Sequence, residues 1–143
     1  MNYPIARTIE EREALERALE EFRKDWGFTS SFGLRQLLQR WRDFVESVED
    51  GYRLSYFDYT QDLSLRDEIE RVKAHVPERL RIEIIDCIQP IDHRLKFATK
   101  QSRTVLGDAV YGPDRYWWWR IPKRLEGQLM EDLLRERIVE PRG

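Results

Sequence analysis

Seven apolar side chains between residues 31 and 49, namely Leu34, Leu37, Leu38, Trp41, Phe44, Val45 and Val48, recur at steps of three and four. On a strand, alternate residues point to opposite faces and this set would be split between them; on a helix of 3.6 residues per turn it forms one stripe. A chain carrying such a stripe must bury one face of a long helix. The spacing therefore predicts a core helix over 31–49, with Ser30 or Ser31 as its cap and Gly51 just past its end. The same rule applies to residues 8–26, where Leu15, Leu19, Phe22 and Trp26 line one face. Thr8 and Glu11 stand at capping-box spacing there, and Gly27 follows the last turn.

Beyond Gly51 the pattern changes. Tyr52, Leu54 and Tyr56 alternate with Arg53 and Ser55, which reads as a short extended segment or structured loop up to Thr60. Ser64 with Asp67 resembles a capping box, and Leu65, Ile69, Val72 and Val76 carry a third helix to Pro77. Pro77 and Pro90 each precede an apolar-periodic stretch with an acidic residue near its start, so two helices are expected, over about 78–88 and 91–102. The stripe Leu80, Ile84, Cys87, Ile88, Ile91, Leu95 and Ala98 crosses the break, so one helix kinked at Pro90 is the alternative. Gly107, Gly112 and Pro113 mark turns before the β-prone run Tyr116-Trp117-Trp118-Trp119. Pro122 is expected to open a last helix to about 138, with Leu125, Leu129, Leu133 and Leu134 inward. The predicted fold is mainly all-α: a single helical domain over 1–143, a bundle of five or six helices with a short extended aromatic segment.

Hydrophobic residues make up 41% of the chain and charged residues 36%, which excludes an apolar-poor disordered chain. No apolar run approaches the ~18 residues of a membrane span, so no membrane association is expected. Met1-Asn2-Tyr3-Pro4-Ile5 lacks the basic start and apolar core of a secretory signal, which predicts a cytoplasmic location. The lone Cys87 has no disulfide partner and reads as a small buried hydrophobe. The seven glycines form no phosphate-cradling cluster. His75 and His93 lack the carboxylate or histidine spacing of zinc and di-iron helices. No metal or cofactor is expected, and no catalytic residue is assigned. The enzyme alternative places chemistry near His93 and Asp86, two helical turns apart, with His75, Cys87 and Asp92 as further candidates.

The distribution of charge is more informative than its total of −2. Residues 43–70 hold nine acidic and two basic residues, a net −7. Residues 94–124 hold eight basic residues (Arg94, Lys96, Lys100, Arg103, Arg115, Arg120, Lys123 and Arg124) against Asp108 and Asp114, a net +6. Within the acidic stretch Tyr52, Tyr56, Phe57 and Tyr59 stand among Asp50, Asp58 and Asp62. Aromatic anchors with a polar end are enriched at interfaces. The expected partner-binding residues are therefore Asp50, Tyr52, Tyr56, Asp58, Tyr59 and Asp62, facing a basic protein. A small core beneath a loop is the alternative. Three consecutive tryptophans cannot all point inward from a strand, and Trp117, Trp118 and Trp119 are flanked by Arg115, Arg120, Lys123 and Arg124. Nucleic-acid binding through the basic segment 115–124 is a further alternative, opposed by a pI of about 5.8.

The pattern Trp41-x-x-Phe44-Val45-x-x-Val48-x-x-Gly51-Tyr52, followed by Tyr59-x-x-Asp62-Leu63-x-x-Arg66-Asp67, resembles small uncharacterised helical proteins of high-GC bacteria. The excess of Arg over Lys, 20 to 5, fits the same coding bias. The resemblance spans about a third of the chain, implies no activity and carries no functional residue. The expected role is non-catalytic protein binding. Its sharpest form is an immunity-type antitoxin, an acidic protein whose 43–70 surface covers a basic partner such as a nuclease toxin.

Overall fold

The computed structural model describes residues 2–101 and 116–139. Among them are five helices, α1 (Ile9–Trp26), α2 (Leu34–Asp50), α3 (Tyr56–His75), α4 (Glu78–Ala98) and α5 (Gly127–Arg135). The strands β1 (Thr99–Lys100) and β2 (Ile121–Pro122) pair antiparallel, with Thr99 opposite Pro122 and Lys100 opposite Ile121. The fold is mainly all-α, and no helix among the described residues is long and apolar enough to cross a membrane. The chain divides into two compact units, Met1–Arg42 with Leu65–Ile91, and Asp43–Ser64 with Asp92–Gly143. The turn-formers Gly107, Gly112 and Pro113 lie outside the described residues, as do Arg103, Arg115, Asp108 and Asp114.

In the first unit, α1 starts as its sequence predicts. The Thr8 hydroxyl accepts from the Glu11 N–H at 3.0 Å, and the Glu11 carboxylate accepts from the Thr8 N–H at 3.2 Å. Gly27, at φ 71°, closes the helix in the left-handed conformation that glycine adopts without a Cβ clash. The buried face is Ala14, Ala18, Leu19 and Phe22, with Leu15 and Trp26 only half-buried, so the face is turned toward the small alanines. Phe22, from the last turns of α1, forms an aromatic cluster with Phe28 and Phe32 beyond the helix end, Phe28 stacking on Phe32 at 4.1 Å. The start of α2 contributes Leu34, Leu37, Leu38 and Trp41, all buried, with Trp41 at 0% exposure. Its cap is Gly33 rather than Ser30 or Ser31. The Gly33 N–H donates to the Gln36 side chain at 2.9 Å and its carbonyl accepts from the Leu37 N–H at 3.1 Å. The Ser31 hydroxyl is engaged with Thr29 at 2.6 Å instead.

An Arg79 clamp organises the N-terminal stretch of this unit. Its guanidinium donates to both oxygens of Glu11, at 2.6 and 2.5 Å, to the Ile5 carbonyl at 3.0 Å, and to Glu83. Glu11 also accepts from the Arg7 N–H at 2.7 Å. The Arg79 hydrogen bonds, followed by the backbone donors, hold the Glu11 carboxyl at a pKa of about 2 although burial opposes them.

Residues 78–98 form one helix and not two, which corrects the expected break at Pro90. Pro90 is exposed, so its ring faces solvent and the helix forgoes one N–H donor while Leu80, Ile84, Ile88, Ile91 and Leu95 stay buried.

In the second unit, Phe44, Val45 and Val48 of α2 are buried as the stripe predicts. Phe44, Tyr52 and Tyr59 pack as a ring triad with centroids 5.1–5.7 Å apart. Helix α3 begins at Tyr56, eight residues before the expected Ser64. Ser55 is its cap, accepting from the Asp58 N–H at 3.1 Å through its hydroxyl and from the Tyr59 N–H at 3.0 Å through its carbonyl. The Tyr56 N–H donates to the Asp132 carboxylate at 2.9 Å. Helix α5 begins at Gly127 and not at Pro122, because Ile121-Pro122 is spent on pairing with β1. Leu129 and Leu133 are buried as expected, whereas Leu125 and Leu134 are half-buried. Trp118 and Trp119 are buried and Trp117 is half-buried.

Candidate functional site

The acidic stretch distributes its expected binding residues between core and surface. Tyr52 is buried and its hydroxyl donates to the Asp62 carboxylate at 2.7 Å. Tyr59 is buried and donates to the Arg120 carbonyl at 2.6 Å. Burial pushes both phenol pKa values well up, in Tyr52 with the added effect of Asp62, so both hydroxyls stay protonated donors. Tyr52 and Tyr59 are therefore fixed inside the unit and present no ring to a partner, a correction to their expected role. The physical reason is that each buried phenol finds a hydrogen-bond acceptor within the same unit. Tyr56 and Asp62 are half-buried, while Asp50 and Asp58 are exposed. Asp58 accepts from the Ser55 hydroxyl at 2.8 Å.

The large exposed apolar groups of this stretch are Leu54, 58% exposed, and Phe57, 68% exposed. Leu54 belongs to the expected alternation of residues 52–56 and Phe57 to the expected aromatic group, but neither is among the six expected partner-binding residues. Phe57 precedes the buried Tyr59 by two positions, about 200° of helical rotation, so it faces away from the core. The signal that locates it is the Ser55 cap, which sets the register of α3. Along α2, Asp43, Glu46, Glu49 and Asp50 are exposed. Arg94 pairs with Glu49 and lies 4.0 Å from Glu46, which offsets part of that acidic run. Arg53, the one basic residue between Asp50 and Asp62, places its guanidinium 3.1 Å from Glu126.

Two residues of the enzyme alternative border a cleft. Asp86 and Cys87 line an open cleft of about 680 Å³ in the first unit, with Tyr3, Arg7, Arg35 and Glu83; the exposed His93 is not in its lining. Arg7 lies 3.9 Å from Glu83, and Arg35 lies over the Tyr3 ring at 5.3 Å, so the cleft is of mixed charge. Burial pushes the Cys87 thiol pKa up, which disfavours the thiolate that a nucleophile requires. The exposed His75 ring is engaged with the Arg71 carbonyl at 2.8 Å. Among the described residues no group of three or more His, Cys, Asp or Glu side chains is placed to hold a metal ion.

The basic stretch is likewise sorted. Arg120 turns inward and donates to the Thr99 hydroxyl at 2.9 Å and carbonyl at 3.0 Å, bracing the β1–β2 ribbon. Arg124 pairs with Glu126 at 2.6 Å, and this contact, with Arg53, keeps the Glu126 carboxyl below its usual pKa. Lys123 lies over the Phe97 ring at 5.1 Å and Lys96 over the Trp117 ring at 6.0 Å. The chain matches no family model, and no curated protein or solved structure matches it.

Proposed function

We propose that this chain is a non-catalytic protein-binding module that docks a basic partner through the acidic stretch 43–62. The observation that carries the reading is the exposure of Leu54 and Phe57, at 58% and 68%, in a stretch whose exposed charges include Asp43, Glu46, Asp50 and Asp58. Apolar side chains held out in solvent among charges are the composition of an interface core with its rim. The Phe44–Tyr52–Tyr59 triad supports this by fixing the backbone that presents them, so little ordering entropy is lost on docking. In its sharpest form the partner is a cationic enzyme whose active site the acidic face covers, as an immunity-type antitoxin does. Complementary charge speeds encounter, and the desolvated Phe57 slows release.

The test is affinity capture from the source cell at low and at physiological salt, followed by binding kinetics on the captured protein. Phe57→Ala is expected to raise the dissociation rate at least tenfold, an order typical of truncating an anchor side chain. Asp50→Lys with Asp58→Lys is expected to lower the association rate and flatten its salt dependence. A partner whose kinetics ignore both variants overturns the reading.

A further inference from the structure

Phe97 is the most exposed large hydrophobic residue described, at 81%. It stands at the end of α4 in a cluster of cations. Lys96 precedes it, Lys100 lies on β1, and Lys123 follows β2, its backbone N–H donating to the Ala98 carbonyl at 3.0 Å. All three lysines are exposed, and among the described residues none is paired with a carboxylate; Lys96 and Lys123 lie over the Trp117 and Phe97 rings instead. Arg124 follows Lys123 in the chain, and the Glu126 to which it is bonded is shared with Arg53, so two guanidinium groups meet one carboxylate. The negative end of α4 accounts for a cation at Lys96, in its last turn, but not for those at Lys100 and Lys123.

We propose that this corner of the second unit is a binding site for single-stranded nucleic acid. It goes beyond the protein-docking reading and uses none of its anchor residues. Single strands are held by two elements in combination, aromatic faces on which bases stack and cations that track the phosphates between them. Phe97, with the half-buried Trp117, supplies the first, and Lys96, Lys100 and Lys123 the second. A ring that is 81% exposed with a lysine over one face keeps its other face open, so a base stacks there without displacing Lys123. The acidic total of the chain weakens attraction at long range, but exposed charges more than a Debye length away, about 8 Å at physiological salt, are largely screened. Binding at this site therefore depends on the local lysines. Duplex DNA presents no open base faces and is not the ligand expected here.

The test is fluorescence anisotropy of labelled oligothymidylate and oligouridylate of about twelve nucleotides, within the span of known single-strand modules. With three to four phosphates neutralised, affinity is expected to fall about 20- to 50-fold between about 50 and 200 mM salt. Phe97→Ala, at an exposed position where the fold does not depend on the ring, is expected to weaken binding about fivefold or more. Lys96→Glu with Lys123→Glu is expected to abolish it, with circular dichroism unchanged. Quenching of tryptophan emission by the oligonucleotide, lost in Trp117→Leu, places the bases on this face. The DNA and RNA arms show which strand is preferred. Absence of binding at low salt overturns the proposal. So does binding that is insensitive to Phe97→Ala and is matched by polyglutamate, which assigns the face to acidic proteins.

Discussion

The carboxylate of Asp132, in the middle of α5, accepts a hydrogen bond from the backbone N–H of Tyr56, the first residue of α3, 76 positions earlier. It also receives Gln128 at 2.7 Å and Arg135 at 2.6 Å, and these donors, the Tyr56 N–H foremost, keep its pKa low. A free N–H at a helix start is one of four orphan donors, and here a distant helix satisfies it. Asp132→Ala leaves that N–H without its acceptor. The expected outcome is a lowered Tm with the first turn of α3 exchanging its amide protons faster, measured by hydrogen exchange. Unchanged exchange at Tyr56 would assign the cap to Ser55 alone.

Trp41 is fully buried on the α2 stripe. Trp41→Ala should cost about 3–5 kcal/mol in denaturant unfolding, the range for truncating a large core aromatic. A loss below about 1 kcal/mol, typical of surface positions, contradicts that orientation.

Gly127 opens α5 at φ 57°, and a Cβ there would stand 2.8 Å from the Arg53 Cβ and 2.9 Å from its carbonyl. The Arg53 carbonyl accepts from the Gln128 N–H at 3.0 Å, so the two backbones meet closely. Gly127→Ala combines left-handed strain with this clash and should destabilise by about 1–2 kcal/mol or more. Urea titration of the variant reads the change directly.

Glu11 has a folded pKa of about 2 against an ordinary value of 4.5. A depressed folded pKa means that the unfolded chain binds the proton first, so the Glu11 contribution is complete above about 4.5 and is lost as pH falls toward 2. Glu11→Gln should be less stable than the parent at neutral pH, and the difference should shrink across that window. Melting curves from pH 2 to 6 follow it; a constant gap at all pH values would mean that charge plays no part in the clamp.

What could be read from the residues in order was what their neighbours in order determine. The capping box of α1, the Gly27 stop and the whole α2 stripe are interactions among residues within a few turns, and periodicity exposes them. The start of α3 is not legible in the sequence because Asp132 helps to cap it from 76 positions away, and because Tyr52, Leu54 and Tyr56 alternate like a strand surface while Tyr56 already opens the helix. Pro90 reads as a boundary from its chemistry alone, yet an exposed proline on a helix with an unbroken buried stripe is tolerated. The exposure of Phe57 and Phe97 depends on helix register, which is only fixed once the helix boundaries are known. Of the six expected binding residues, the acidic ones at 50 and 58 stay at the surface, and the apolar partners beside them are different residues from those first chosen.

The Arg79 clamp also bears on how a protease meets this chain. Residues 2–7 belong to no helix or strand, and the Arg7–Thr8 peptide bond looks like an inviting target for trypsin. Cleavage requires several residues on either side to be drawn out into an extended substrate. Here the N–H groups of Arg7 and Thr8 both donate to Glu11, and Arg79 grips the Ile5 carbonyl and the same Glu11 carboxylate. The bond can be cut only from an opened form, at a rate set by how often the clamp lets go. A stretch without secondary structure is thus tied down around that bond by Glu11 and by an arginine from another element.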